Sequence, residues 1–314
     1  MVAPGRSCPI GYRYAPESIG ATQPIVADVL YVVGGLYGNP FALDTVFDAA
    51  AREAGRVAII FSGDFHWFDA EVTLFSRIDH AVMANHALRG NVETELALPS
   101  GEAGCGCAYP DWVGEGEVER SNAILRRLSE VAAKTHDNLR RYANLPMHAG
   151  ARVGGVRVAI VHGDGASLSG WTFAQENLRN GADAASVMLG RINADIIAST
   201  HTCLPIARRF ATPQGERWLF NNGAAGMPNF QGDLRGLCTR IAHAPSGRAL
   251  YGAKVNDVVV EAIPLELGGD AWVRQFDTIW SEFSPAAVSY RQRITQGTRY
   301  EFAQALGEGI HILR

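Results

Sequence analysis

No apolar run in this chain approaches the ~20 residues that a membrane-spanning helix needs, although 47% of its 314 residues are hydrophobic. Those residues are therefore expected in a core, and the chain is long enough to bury a large one. Length alone allows one large domain or two ordinary ones. A basic run is also missing, and the formal net charge is −4, which argues against a nucleic-acid surface. The sequence opens without an apolar signal segment, and its five cysteines are an odd number. Both features suggest a reducing, cytoplasmic setting with free or ligating thiols. No internal repeat is visible. The expectation is a soluble globular protein with neither a membrane nor a nucleic acid as partner.

What is present is an α/β pattern. Val29–Val33 is a β-branched apolar run that meets glycines at 34, 35 and 38, and Phe41, Ala42, Val46 and Phe47 follow at helical spacing. A buried strand feeding a glycine corner and a helix opens an α/β unit, whose ligands sit beyond the carboxyl ends of the strands. The dinucleotide fingerprint is not completed, because Tyr37 stands where a second glycine would follow Gly35.

Along the chain, residues 1–24 read as an irregular arm, 25–268 as the core and 269–314 as a helical tail packed on that core, all within one domain spanning 1–314. Arg56–Phe61 and Ile78–Met83 read as strands, and Val118–Tyr142 as a helix whose apolar stripe is Ile124, Leu128, Val131 and Leu139. Gly150–Asp164 reads as a hairpin, Ala182–Ile192 as a helix and Asp195–Ala198 as a strand, with strand-like runs at Ile206–Phe210, Trp218–Asn221 and Arg248–Pro264. The tail carries Trp272, Phe276, Trp280 and Phe283. That stripe belongs in the core or at a contact between subunits, which leaves a homo-oligomer open.

The chemistry collects just past expected strands, at Asp64, Asn91, His162 and His201. Two imidazoles, a carboxylate and a carboxamide oxygen make a first shell for zinc, manganese or iron. Each alone also has a plain reading, as a hydrogen-bonded histidine, a turn or a helix cap. Four residues sharing one strand-end position point to a common site.

The order of these motifs resembles the calcineurin-like metallophosphoesterases, in their small bacterial phosphodiesterase branch. That family runs D-x-H-G-N, G-D, G-N-H-D/E, H-G, G-H-T-H-x-P and N-x-G-S. This chain runs Gly35-Leu36-Tyr37-Gly38-Asn39, Gly63-Asp64, Gly90-Asn91-Val92-Glu93, His162-Gly163, Thr200-His201-Thr202-Cys203-Leu204-Pro205 and Asn222-Gly223-Ala224, over about residues 29–265. The resemblance implies an αββα fold, a two-sheet β-sandwich flanked by helices. It also implies that Asp64, Asn91, His162 and His201 hold one metal. The private ligands of the family's second metal fall at Gly35, Tyr37 and Cys203, and its catalytic histidine at Val92.

The implied function is a metal-dependent phosphoesterase-like hydrolase acting on a phosphomonoester or phosphodiester. One divalent transition metal (Mn, Zn or Fe) is kept and the other half-site is lost, and the expected partner is a small phosphorylated substrate or ligand. The alternative is a catalytically silent member that binds a ligand or partner. Tyr37 and Asn39 are expected on the phosphate side, Tyr37 as hydrogen-bond donor or weak acid, or else as a buried filler. Cys203 is either a soft ligand or a small buried residue. His66 and Trp67 are read as pocket wall or as a solvent-facing loop. Cys105 and Cys107 form a C-x-C pair without the second pair that a zinc site needs.

Overall fold

The computed structural model describes residues 3–21, 23–99, 101, 103–135 and 137–313, with residues 137, 138 and 180 as backbone alone. Expectations that fall on residues 1, 2, 22, 100, 102, 136 and 314 lie outside it. After two short 3-10 turns come β1 (Ile25–Ala27), β2 (Val29–Val33), α1 (Pro40–Ala50), β3 (Val57–Ser62), α2 (Val72–Met83), β4 (His86–Leu88) and α3 (Asn91–Ala97). The chain continues through α4 (Glu115–Ala132), α5 (Asp137–Ala143), β5 (His148–Val153), β6 (Val156–Val161), α6 (Gln175–Asn180) and α7 (Asp183–Arg191). Next are β7 (Ile196–Ser199), β8 (Pro205–Thr212), β9 (Gly215–Asn222), β10 (Gly236–Ala242), β11 (Tyr251–Val255) and β12 (Val258–Leu265). The tail holds α8 (Gly269–Ile279), α9 (Pro285–Gln296) and β13 (His311–Ile312).

Among the described residues the strands form a six-stranded sheet, β1-β5-β6-β7-β9-β8, and a seven-stranded sheet, β13-β11-β12-β10-β2-β3-β4. Every residue of β2 is buried, and the pleat divides them between two layers. Leu30 and Val32 point into the core between the sheets, with Ile60, Ile160, Ile196 and Phe220. Tyr31 and Val33 point the other way, into the layer built with Val46 of α1, Phe75 of α2, Ile124 of α4 and Phe276 of α8. On the opposite side, Leu189 of α7 packs with Val161, Ile197 and Leu219. The layers are helix, sheet, sheet, helix.

Three readings of the sequence are corrected here. Ile78–Met83 is no strand but the C-terminal half of α2. Leu74, Phe75, Ile78 and Val82 form one buried helical stripe that begins upstream of the expected segment, and the Glu71 carboxylate caps the helix by accepting from the amides of Thr73 and Leu74. Secondly, the Val118–Tyr142 helix is two. α4 ends where Lys134 and Thr135 turn back onto the carbonyls of Val131 and Ala132, and α5 begins at Asp137. Thirdly, Arg248–Pro264 is the hairpin β11–β12, turning at Asn256 with φ +53°. Strand β10 was missed. Arg240 in its middle disguises it, and that charge is buried only because it pairs with Glu53 and Glu261.

The parallel strands β2, β3 and β4 of one sheet and β6 and β7 of the other end at the same edge of the sandwich. The Gly35 amide donates to the Gly63 carbonyl, and the Thr200 amide to that of His162. The tail closes over this edge, since the Trp280 indole donates to the Phe68 carbonyl at 2.8 Å. Phe276 and Tyr290 also stack edge-on against Phe68. Phe283, by contrast, is 86% exposed and takes no part in the core.

Candidate metal centre

Asp64 follows the end of β3, Asn91 opens α3, His162 follows β6 and His201 follows β7. All four are buried. The His162 Nε2 lies 3.1 Å from Asn91 Oδ1, 3.3 Å from Asp64 Oδ2 and 3.2 Å from His201 Nδ1. One ligand atom from each of Asp64, His162 and His201 falls within a 4.8 Å group.

The hydrogen bonds on the far side of each group decide what these atoms are. His162 Nδ1 donates to the Ser62 carbonyl at 2.8 Å, and His201 Nε2 to the Cys107 carbonyl at 3.2 Å. The Asn91 amide nitrogen donates to the Cys105 carbonyl at 3.0 Å. With their donors turned outward, two ring nitrogens, one carboxamide oxygen and one carboxylate oxygen present lone pairs to a single point. Lone pairs gathered at about 3 Å repel unless a proton or a cation sits among them. Imidazoles held by backbone carbonyls through the second nitrogen are the usual support of a metal site. The residues present fit a metal ion.

The backbone is bent to achieve this convergence. Six described non-glycine residues have positive φ, and Tyr37, Asp64, His201 and Cys203 are four of them. Such strain gathers at functional sites and must be held by surrounding contacts. Glu93 supplies much of the hold. Its buried carboxylate accepts from the amides of Asp64, Phe65 and Gly90 at 2.8 to 3.0 Å, which ties the loop of Asp64 to the loop of Asn91. The two loops approach so closely that a Cβ on Gly63 would lie 2.6 Å from both Gly90 Cα and His162 Nδ1.

Among the solved structures that share this architecture are two of similar extent. One is a metallophosphoesterase from Sphaerobacter thermophilus, with a TM-score of 0.52 and 14% identity, covering 84% of this chain and 99% of that one. The other is a hypothetical protein from Pyrococcus horikoshii, with a TM-score of 0.54 and 12% identity over 88% and 100% of the two chains. The fold is that of the metallophosphoesterases. No family model and no curated protein sequence matches the chain.

Within this metallophosphoesterase fold, electrostatics separate the two histidines. Burial disfavours the charge on His162, but the adjacent Asp64 carboxylate more than offsets it and raises the pKa. Burial and then the neighbouring His162 push His201 down to about 3, so it is neutral. Burial opposes ionisation of Asp64, yet His162 holds its carboxyl below the ordinary value. Glu93 is pushed up to about 7 by burial and by the like charge of Asp64.

The remaining expected residues divide. Tyr37 lines the cleft above the cluster, its hydroxyl 3.0 Å from Cys203 Sγ. Its ring stands where a side chain at position 35 would go, since a Cβ on Gly35 would lie 2.7 Å from Tyr37 Cε2. Asn39 is not among the described residues that line the cleft. It caps α1, its buried Oδ1 accepting from the amides of Phe41 and Ala42 while Nδ2 donates to the Gly226 carbonyl. Trp67 lines the cleft. His66 does not, being stacked on Phe75 at 3.8 Å and bonded to Asp69 and Tyr142 in the core. Cys105 and Cys107 are buried, and their carbonyls orient Asn91 and His201, while the Cys107 sulfur accepts a second, longer bond from Asn91 Nδ2 at 3.6 Å.

Sequence reading missed Tyr109, Trp171, Met227 and Tyr290, which wall the same cleft. They come from loops and from α9, outside any spaced motif, and carried no signal of their own.

Proposed function

We propose that this chain is a metal-dependent phosphoesterase-type hydrolase that holds one divalent transition metal, manganese, zinc or iron, at Asp64, Asn91, His162 and His201. The observation that carries the reading is the meeting of the Asp64 carboxylate with three groups, on Asn91, His162 and His201, that have each turned a donor outward. When bound, such an ion acidifies a water and polarises a phosphoryl oxygen. Hydrolysis adds the elements of water across a P–O bond, so a diester leaves as a phosphomonoester and an alcohol.

The chain's own residues set the conditions for that step. The Tyr37 phenol is held neutral by burial and by its neighbours Cys203 and Asp64, which makes it a hydrogen-bond donor and not a base. Val92 lines the cleft and has no proton to give, so good leaving groups are favoured. The Tyr37 ring and Cys203 occupy the other half-site, which supports one ion rather than two. The largely apolar walls keep bulk water away and strengthen the electrostatics within.

A second reading, a chain that holds its metal without turnover, draws on Val92 together with Gly35, Tyr37 and Cys203, which stand where the other ligands would be. Elemental analysis after Mn²⁺ or Zn²⁺ loading is expected to give about one equivalent per chain, and bis(p-nitrophenyl) phosphate should be cleaved by the wild type and not by Asp64→Ala. Two equivalents or none would overturn the single-ion site. One equivalent without turnover would favour the second reading.

A further inference from the structure

The cleft above the cluster has a wall unlike what an anionic phosphate alone would need. About 40 Å³ is open within it, and Asp64 is the one carboxylate among its described lining residues, with neither Lys nor Arg there. An aromatic series leads outward from the ligands. The Trp171 ring lies 5.2 Å from that of His201, Tyr109 lies 5.9 Å from Trp171, and Trp112 lies 6.3 Å from Trp171 on the outer side. Trp171 is fixed by its indole N–H, which donates to the Cys107 carbonyl at 2.9 Å. Trp112, which stands edge-on to Trp171 and is not itself among the residues lining the cleft, is 54% exposed.

We infer that the substrate is a monoanionic phosphodiester carrying a planar aromatic group, whose ring lies on Trp112, Trp171 and Tyr109 while its phosphoryl end enters the cleft. The inference rests on the phosphoesterase reading and narrows it. Charge decides between ester classes. A divalent ion facing one carboxylate leaves a single positive charge, which a diester balances. A monoester dianion would bring a second negative charge into a largely apolar cleft with no Lys or Arg among its described lining residues, since Arg293 behind it is engaged by the Cys203 carbonyl, and an unpaired buried charge is costly. Geometry decides where the ring goes. The phosphoryl end belongs at the Asp64, Asn91, His162 and His201 cluster, so a ring carried on the same ester lies outward along the aromatic series that starts at His201. The ring is left at the mouth, where partly exposed aromatic faces are available for stacking.

The test uses three esters with one ring-free leaving group, methanethiol, so that its intrinsic reactivity is held constant and the only ring is the one under test: O-phenyl S-methyl phosphorothioate, O-methyl S-methyl phosphorothioate and S-methyl phosphorothioate, followed by thiol release on the metal-loaded protein. The phenyl diester should exceed the methyl diester in kcat/KM by about tenfold, and the monoester should be the poorest. In Trp112→Ala the phenyl-to-methyl ratio should fall about fivefold, with thermal denaturation verifying the fold. A wild-type ratio near one, a preference for the monoester, or an unchanged ratio in the variant would overturn the inference.

A second readout does not need turnover. Tryptophan fluorescence is titrated with methyl phenylphosphonate and with methyl methylphosphonate, two uncleaved monoanions. Tighter binding of the phenyl compound without cleavage of any diester would sink the hydrolase reading and keep the aromatic site. Cleavage without any phenyl preference in either assay would do the reverse, and failure of both compounds to bind also counts against the site.

Discussion

Placing an aspartate at Gly35 asks whether the second half-site is merely unliganded or physically filled. Gly35 has φ +63°, where an L-residue costs about 1–2 kcal/mol, least for Asp and Asn. A Cβ there would lie 2.7 Å from Tyr37 Cε2, 2.9 Å from Cζ and 3.0 Å from Oη. Overpacking of that kind adds about 1–3 kcal/mol. Gly35→Asp alone should therefore destabilise by about 2–5 kcal/mol, a fall in Tm on the order of 4–10 °C for a chain of this size. Combined with Tyr37→His, whose ring is shorter, only the backbone cost should remain. The double-mutant cycle then yields a coupling of about 1–3 kcal/mol. Chemical denaturation of the four proteins followed by circular dichroism measures it directly. Equal destabilisation in both backgrounds would mean that the Tyr37 ring does not fill the position, and the argument for a plugged half-site would fall. If coupling appears, adding Cys203→His completes the family's ligand set, and elemental analysis should then approach two equivalents, with the ions about 3.5–4 Å apart.

Metal affinity should depend on pH through His162. Its folded pKa is raised by Asp64, so the proton stabilises the metal-free protein below the unfolded value near 6.5, and that contribution is lost as pH rises through the folded pKa. Binding must displace this proton, so apparent affinity should weaken by up to about tenfold per unit as pH falls below the folded value. Below that folded value, calorimetry in buffers of different ionisation enthalpy should count about one proton released, and none released there would contradict it. For the C-x-C pair, the ligands lean on the carbonyls of Cys105 and Cys107, which serine also provides. The double serine variant should keep its full metal content by elemental analysis, and a loss would show that the sulfurs take part.

Much of this molecule can be read from local sequence because the strand ends are punctuated locally. Apolar runs at Val29–Val33, Val57–Ser62 and Ile196–Ser199 end in small or polar residues that announce the next turn, and the turns after the second and third carry Asp64 and His201. A ligand that must follow a strand leaves a trace within a few residues of that strand. Strand β10 left a weaker one, because the partners that neutralise Arg240 are Glu53 and Glu261, far away in the chain. The Ile78–Met83 segment misled for a related reason: six apolar-rich residues fit a strand or a helix, and only the packing of Leu74, Phe75, Ile78 and Val82 on one side selects the helix.

Tertiary structure alone decided the surroundings of the cluster. Asn39 looks like part of a phosphate motif until Gly226, nearly two hundred residues later, takes its amide. His66 is two residues from a ligand, yet Tyr142 and Phe75 draw it into the core. Tyr290 reaches the cleft only because Trp280 and Phe276 dock the tail on Phe68. Membership of the Asp64, Asn91, His162 and His201 cluster is carried by residue type and a short motif, so the sequence itself specifies it. The cleft wall depends on which distant aromatic surfaces pack together, a property of the folded chain that no spacing along it encodes.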